Sequence, residues 1–142
     1  MSLPETEAPP QATRDADAPA QLDVRFADLP LRAQRLLRDA RRALDARDMR
    51  QADALLERGK SWAGDHPEYL RLFAIARQLQ GRPAEAVAAL RRALEIRPGD
   101  ALLLMNLGTA LRGAGDLDAA VVALRRACEL APDLAAAWYN LG

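Results

Sequence analysis

The chain repeats itself at a fixed interval, and that interval leaves few folds open to it. Segments beginning at Ala33, Pro67, Ala101 and Ala135 follow one another at 34-residue spacing. The eighth residue of each is small: Ala40, Ala74, Gly108 and Gly142. The twentieth is Ala52, Ala86 and Ala120, and the twenty-fourth is Leu56, Leu90 and Leu124. Gly59, Ala93 and Ala127 fill the twenty-seventh place, and Pro98 and Pro132 the thirty-second, where the first segment has Gly64. A gapless repeat of this length marks a supersecondary unit that buries its apolar face only by stacking on its neighbours.

The residue types say what the unit is. Apolar residues recur at helical spacing, with a break in the middle of each segment. Small residues at the eighth and twentieth places let two helices approach closely, with leucine at the twenty-fourth beside that contact. The small residue at the twenty-seventh admits the first helix of the next unit. Proline at the thirty-second stops the second helix, since it lacks a donor and clashes with a preceding carbonyl. Gly81 and Gly115 mark the turns, and Asp116 is placed to cap the helix that follows. The first unit turns at Arg47 and Asp48, with Gln51 placed for a capping-box contact. The pattern predicts helices over 29–46, 49–62, 67–80, 83–96, 101–114 and 117–130, then a stub from 135. The fold class is all-α: tandem helix-turn-helix repeats, in units 33–66, 67–100, 101–134 and a truncated 135–142.

Composition agrees. Half of the 142 residues are hydrophobic but only 4% are aromatic. That mix suits close-packed helices better than strands. The formal net charge is zero, which disfavours general attraction to nucleic acid or anionic membrane. Lys60 is the only lysine; the arginine bias fits either anion recognition or a GC-rich bacterial genome. Cys128 is the only cysteine, so no intrachain disulfide forms, and a buried helical position is expected for it. No apolar run has transmembrane length and no leader is visible at Met1, so a cytoplasmic protein is expected.

Residues 1–28 differ from the rest. Pro4, Pro9, Pro10 and Pro19 interrupt them, and Glu5, Glu7, Asp15, Asp17, Asp23 and Asp28 outnumber Arg14 and Arg25. With no hydrophobic period to offset ordering entropy, they read as a disordered acidic Pro/Ala-rich arm, from Met1 to about Val24 at least.

The segment from Leu104 to Pro132 resembles the tetratricopeptide repeat family through Leu107-Gly108, Ala120, Leu124, Ala127 and Pro132. The resemblance covers about residues 33–142. Unit one departs from it at Asp39, Gly59 and Gly64, as suits a terminal repeat, and unit two carries Arg77 where the family prefers tyrosine. Trp138 and Leu141 match the family's opening signature, yet no second helix follows, so the chain reads as part of a longer protein.

The resemblance implies a right-handed superhelix, a tetratricopeptide solenoid over residues 29–142, whose first helices line a concave groove that holds a partner peptide or helix. The family's groove places fall on Leu37, Arg38 and Arg41 in unit one, and on Arg71, Leu72, Ile75 and Gln78 in unit two. Unit three contributes Leu102, Met105, Asn106, Thr109 and Arg112, and the stub Tyr139 and Asn140. Asn106 and Asn140 occupy the sixth place of successive units. They resemble two rungs of the asparagine ladder in the repeat arm of O-linked N-acetylglucosamine transferase, where amides donate to and accept from a peptide backbone. The alternative is that asparagine simply precedes Leu-Gly in such repeats, and Leu72 and Arg38 interrupt the column. The carboxylate clamp of the chaperone-binding branch is excluded, because Leu37, Leu72 and Leu102 occupy three of its places.

Arg32, Arg35, Arg38, Arg41 and Arg42 make the first helix basic. It either captures an acidic or phosphate-bearing ligand, the chain's own acidic arm included, or forms a solvated face with pairs such as Asp39 to Arg42. Enzyme signatures are missing. His66, the only histidine, stands between Asp65 and Pro67 and suits a helix start, no set of metal ligands is present, and no cofactor is implied. Gly113-Ala114-Gly115 is too short for a phosphate loop. The expectation is a protein-binding module; the alternative is a non-catalytic arm of a larger bacterial enzyme of sulfotransferase, glycosyltransferase or dioxygenase type. Trp138 and Leu141 are expected to pack near Ala127 and Leu124, and the open end to support a weak homodimer.

Overall fold

A computed structural model describes residues 24–142; the first part of the expected arm, residues 1–23, lies outside the described residues. A short 3-10 turn at Val24–Phe26 precedes seven α-helices. These are α1 (Leu31–Asp45), α2 (Met49–Ala63), α3 (Pro67–Leu79), α4 (Pro83–Ile96), α5 (Ala101–Gly113), α6 (Leu117–Leu130) and α7 (Ala135–Leu141). Each lies within about a turn of the span the sequence predicts. Among the described residues all regular structure is helical.

The turns form for the reasons the sequence states. Gly81 and Gly115 adopt φ of 74° and 87°, the left-handed conformation that glycine reaches without steric cost. Unit one makes the same turn with Arg47 at φ 60°, the one non-glycine residue there among those described. Asp48, Asp100 and Asp116 cap α2, α5 and α6 by accepting from the Gln51, Leu103 and Ala119 amides. His66 caps α3: its Nδ1 accepts from the Glu68 amide at 3.1 Å, with Pro67 in the first turn. The lone histidine is thus a helix cap.

Helices pack in sequence order, α1 on α2, α3 on α4 and α5 on α6, each second helix then meeting the next first helix. A Cβ placed on Gly108 would lie 2.5 Å from Leu124 Cγ and 3.2 Å from the Ala120 carbonyl oxygen. The eighth, twentieth and twenty-fourth places therefore meet as expected. The twenty-seventh does not behave so in unit one. A Cβ on Gly59 would overlap Leu36 of its own hairpin, so this glycine serves the α1–α2 contact rather than admitting the next unit.

First helices of successive units also touch: α1 on α3, α3 on α5, and α5 on α7. Second helices make no comparable contact with one another. The first helices thus lie closer together than the second, and they line the inner face. No helix among the described residues is long and apolar enough to cross a membrane.

One boundary moves. Residues 24–28, assigned to the arm, belong to the repeat domain, because Phe26 is 1% exposed and joins the core cluster that contains Leu36, Leu37, Leu56 and Leu72.

Candidate functional site: the face of the first helices

This face has two parts of different character. At the starts of α1, α3 and α5 it carries the chain's own residues 24–29. Gln34 Nε2 donates to the Ala27 and Leu29 carbonyls at 3.2 and 2.7 Å, and His66 Nε2 stands 2.9 Å from Asp28 Oδ1. That contact to His66 holds the Asp28 carboxyl below the usual carboxylate range. Further along, Arg25 Nε donates to Glu68 at 3.0 Å and its Nη2 to Asp100 at 2.8 Å. Arg97 Nη1 donates to the Arg25 carbonyl at 3.2 Å. Burial works against the Arg25 charge, yet Glu68 and Asp100 outweigh it and raise the guanidinium above its ordinary value.

Glu68 is 1% exposed and is shared by two guanidinium groups, since Arg71 Nε donates to it at 2.5 Å. Arg71, expected to face a ligand, is buried, with Nε on Glu68 and Nη1 reaching Asn106 Oδ1 at 3.5 Å. Leu37 and Leu72 are likewise buried rather than lining an open groove. Sequence reasoning missed Arg25, Phe26, Glu68 and Asp100. The signal was Arg25-Phe26 itself, a cation and an aromatic side by side in an acidic stretch.

The second part, over units three and four, is open. Asn106 is half-buried on α5 and Asn140 half-buried on α7, at the same place of successive units. Asn140 Nδ2 donates to Thr109 Oγ1 at 3.4 Å, and Arg112 donates to the Asn140 carbonyl at 2.9 Å and its Oδ1 at 3.5 Å. Thr109 in turn donates to the Met105 carbonyl at 3.0 Å. Tyr139 is 84% exposed. Met105 packs on the cluster of Ala127, Cys128 and Ala137, with Cys128 buried as expected. Arg38, Arg41, Ile75 and Gln78 are half-buried on α1 and α3, and Ile75 packs on the first core cluster.

Two further features lie off this face. A hollow of about 690 Å³ opens on the outer side between α2 and α4 over α3, with Tyr69, Phe73 and Arg77 in its lining. Arg77, at the family's tyrosine place, stacks 4.5 Å over the Phe73 ring and reaches Asp53 at 3.4 Å. Trp138 does not pack as expected. It is half exposed with its indole N–H donating to the Pro132 carbonyl at 2.8 Å, while Ala137 and Leu141 take the inward positions. Among the described residues no group of three or more His, Cys, Asp or Glu is placed to hold a metal ion.

Hairpins of alternating helices, stacked in order with the first helices inward, define a helical-repeat solenoid. Residues 78–142 match the family described as tetratricopeptide repeat. Among solved structures, a mutant O-GlcNAc transferase from Thermobaculum terrenum is similar, with a TM-score of 0.73 and 30% sequence identity over 77% of this chain. The chain spans only 21% of that protein's length. No curated protein matches it. The chain belongs to the tetratricopeptide repeat family, and among the described residues no catalytic domain is evident.

Proposed function

We propose that this chain is a protein-binding module that holds an extended peptide against α5 and α7, with Asn106 and Asn140 bonding the peptide backbone. The observation that carries this reading is the placement of the two amides at one place of successive units on the inner face. Their present bonds, at 3.4 to 3.5 Å, are at the long limit for hydrogen bonds, so a peptide amide at ordinary distance exchanges for them readily. A column of amides recognises backbone, which every peptide has, so it accepts many sequences. Thr109 and Arg112 align Asn140, and exposed Tyr139 offers a flat apolar surface beside it.

The test uses phage-displayed peptides selected on the chain, then measured by fluorescence anisotropy. Asn106→Ala and Asn140→Ala each weaken binding by about tenfold, the loss of one or two good hydrogen bonds. Arg91→Ala and Arg126→Ala, on the outer helices, leave it unchanged. Loss at the outer positions alone would overturn the site assignment.

A second reading has its own support, the 30% identity to part of a transferase of which this chain spans about a fifth. In that reading the module is the accessory arm of a larger bacterial enzyme and presents a substrate protein to it, by the same peptide-holding mechanism. The reading frame beyond Gly142 separates the two: further hairpins alone favour a scaffold, whereas a long α/β segment favours an arm. Self-association through Trp138 and Tyr139 is the remaining element of the proposal, supported by their 51% and 84% exposure.

A further inference from the structure

The contacts of Val24–Leu29 are those of a ligand. Phe26 is sunk in the apolar cluster of α1, α2 and α3, Arg25 bridges Glu68 near the start of α3 and Asp100 at the start of α5, and Arg97 grips the Arg25 carbonyl. An aromatic anchor, a desolvated charge pair and a backbone hydrogen bond are the elements by which groove-binding peptides are held. We propose that the inner face between α1 and α5 is a binding site for a peptide carrying an arginine followed by an aromatic residue, and that Val24–Leu29 is its resident, displaceable occupant.

The construction of the acidic pair supports displacement. Glu68 keeps Arg71 at 2.5 Å when Arg25 leaves, and Asp100 keeps its capping bond to the Leu103 amide at 3.1 Å. Neither carboxylate is stranded, and both turn toward the water that replaces the segment, so the large penalty for an unpaired buried charge does not arise. The segment has little structure of its own beyond a single 3-10 turn at Val24–Phe26. The start of α1 at Pro30 carries no side-chain cap, so opening the segment breaks no helix cap there. Val24, Ala27 and Asp28 are exposed, so Arg25 and Phe26 are the main anchors of a short segment that lies outside the helices and opens without unfolding them. The chemistry of the site selects its guest: two carboxylates demand a cation, the planar fork of arginine meets both at once, and the apolar cluster demands a ring.

The inference goes beyond the peptide-backbone reading at Asn106 and Asn140 and does not depend on it, because its test uses the chain's own segment as probe. A synthetic, fluorescently labelled peptide of residues 24–30 is titrated into the intact chain and into full-length Arg25→Ala/Phe26→Ala. An occupied site lowers apparent affinity by the fraction of molecules that are open, so the variant binds the peptide at least about tenfold more tightly than the intact chain. A peptide with alanine in place of both residues binds neither. Equal affinity for the two chains, or no saturable binding to a variant that is folded by circular dichroism, overturns the proposal. Should the double variant fail to fold, hydrogen exchange on the intact chain decides. The Ala27 and Leu29 amides, bonded to the Val24 and Phe26 carbonyls, exchange at least about tenfold faster than mid-helix amides of α1 and α3. Exchange as slow as in those helices would mean that the segment opens only with the whole domain, and would equally overturn it.

Discussion

Arg25 and Asp100, far apart in sequence, are joined by a 2.8 Å hydrogen bond that ties the start of the described chain to the junction of units two and three. With the Arg25 contact to Glu68, this holds residues 24–29 across the starts of α3 and α5.

Glu68 is the keystone of that arrangement. Removing it leaves Arg71, 7% exposed, without its carboxylate. Breaking one side of a buried pair costs about 3–5 kcal/mol, and Glu68→Ala is expected to lose that much stability in urea denaturation. Glu68→Gln, which keeps an acceptor for Arg71, loses less.

The close approach in unit three sets its tolerance for size. Ala120 is 3% exposed and its carbonyl lies against Gly108. Ala120→Leu pushes α5 and α6 apart and costs at least about 1–3 kcal/mol, the range for overpacking. A thermal melt matching that of the unaltered chain would contradict the packing described.

At Arg47 the hairpin of unit one asks a residue with a Cβ to adopt φ 60°. The left-handed conformation costs an L-residue about 1–2 kcal/mol, partly offset for glycine by its greater freedom in the unfolded chain. Arg47→Gly is expected to raise stability by up to about 1 kcal/mol, whereas Gly81→Ala and Gly115→Ala lower it; chemical denaturation ranks all three.

Tyr69 gives the domain an alkaline limit. Burial raises its phenol above the usual value, Glu57 adds to the shift and Arg77 opposes it, while the hydroxyl donates to the Leu56 carbonyl at 2.7 Å. The folded state thus holds the proton more tightly than the unfolded one. Its contribution is complete below the unfolded value of about 10 and is lost as pH rises through the folded one. The urea midpoint should fall above that pH in the unaltered chain and less steeply in Tyr69→Phe, which is also less stable at neutral pH.

Much of this was legible in the sequence because the repeat is self-consistent. Spacing located every helix, Gly81 and Gly115 located the turns, and Asp48, Asp116 and His66 announced the caps, since each signal acts within a few residues. The inner face was less legible. The family's places identify which positions face inward but not what they touch within the chain, so the burial of Arg71, Leu37 and Leu72 beside Glu68 and Phe26 was not readable from them. Those contacts join residues dozens of positions apart and leave no period to read. Trp138 was misplaced for a similar reason. Its indole finds the Pro132 carbonyl six residues back, a local bond that competes with inward packing.

Whether the inner face binds peptide is tested most directly by nuclear magnetic resonance on the 15N-labelled chain, titrated with a peptide selected by phage display. The account predicts that the largest shifts fall on the side-chain amides of Asn106 and Asn140 and on the backbone of Thr109 and Tyr139. Shifts confined to the outer hollow between α2 and α4, at Tyr69, Ala88 and Arg92, would contradict it and move the binding site to the opposite side of the repeat.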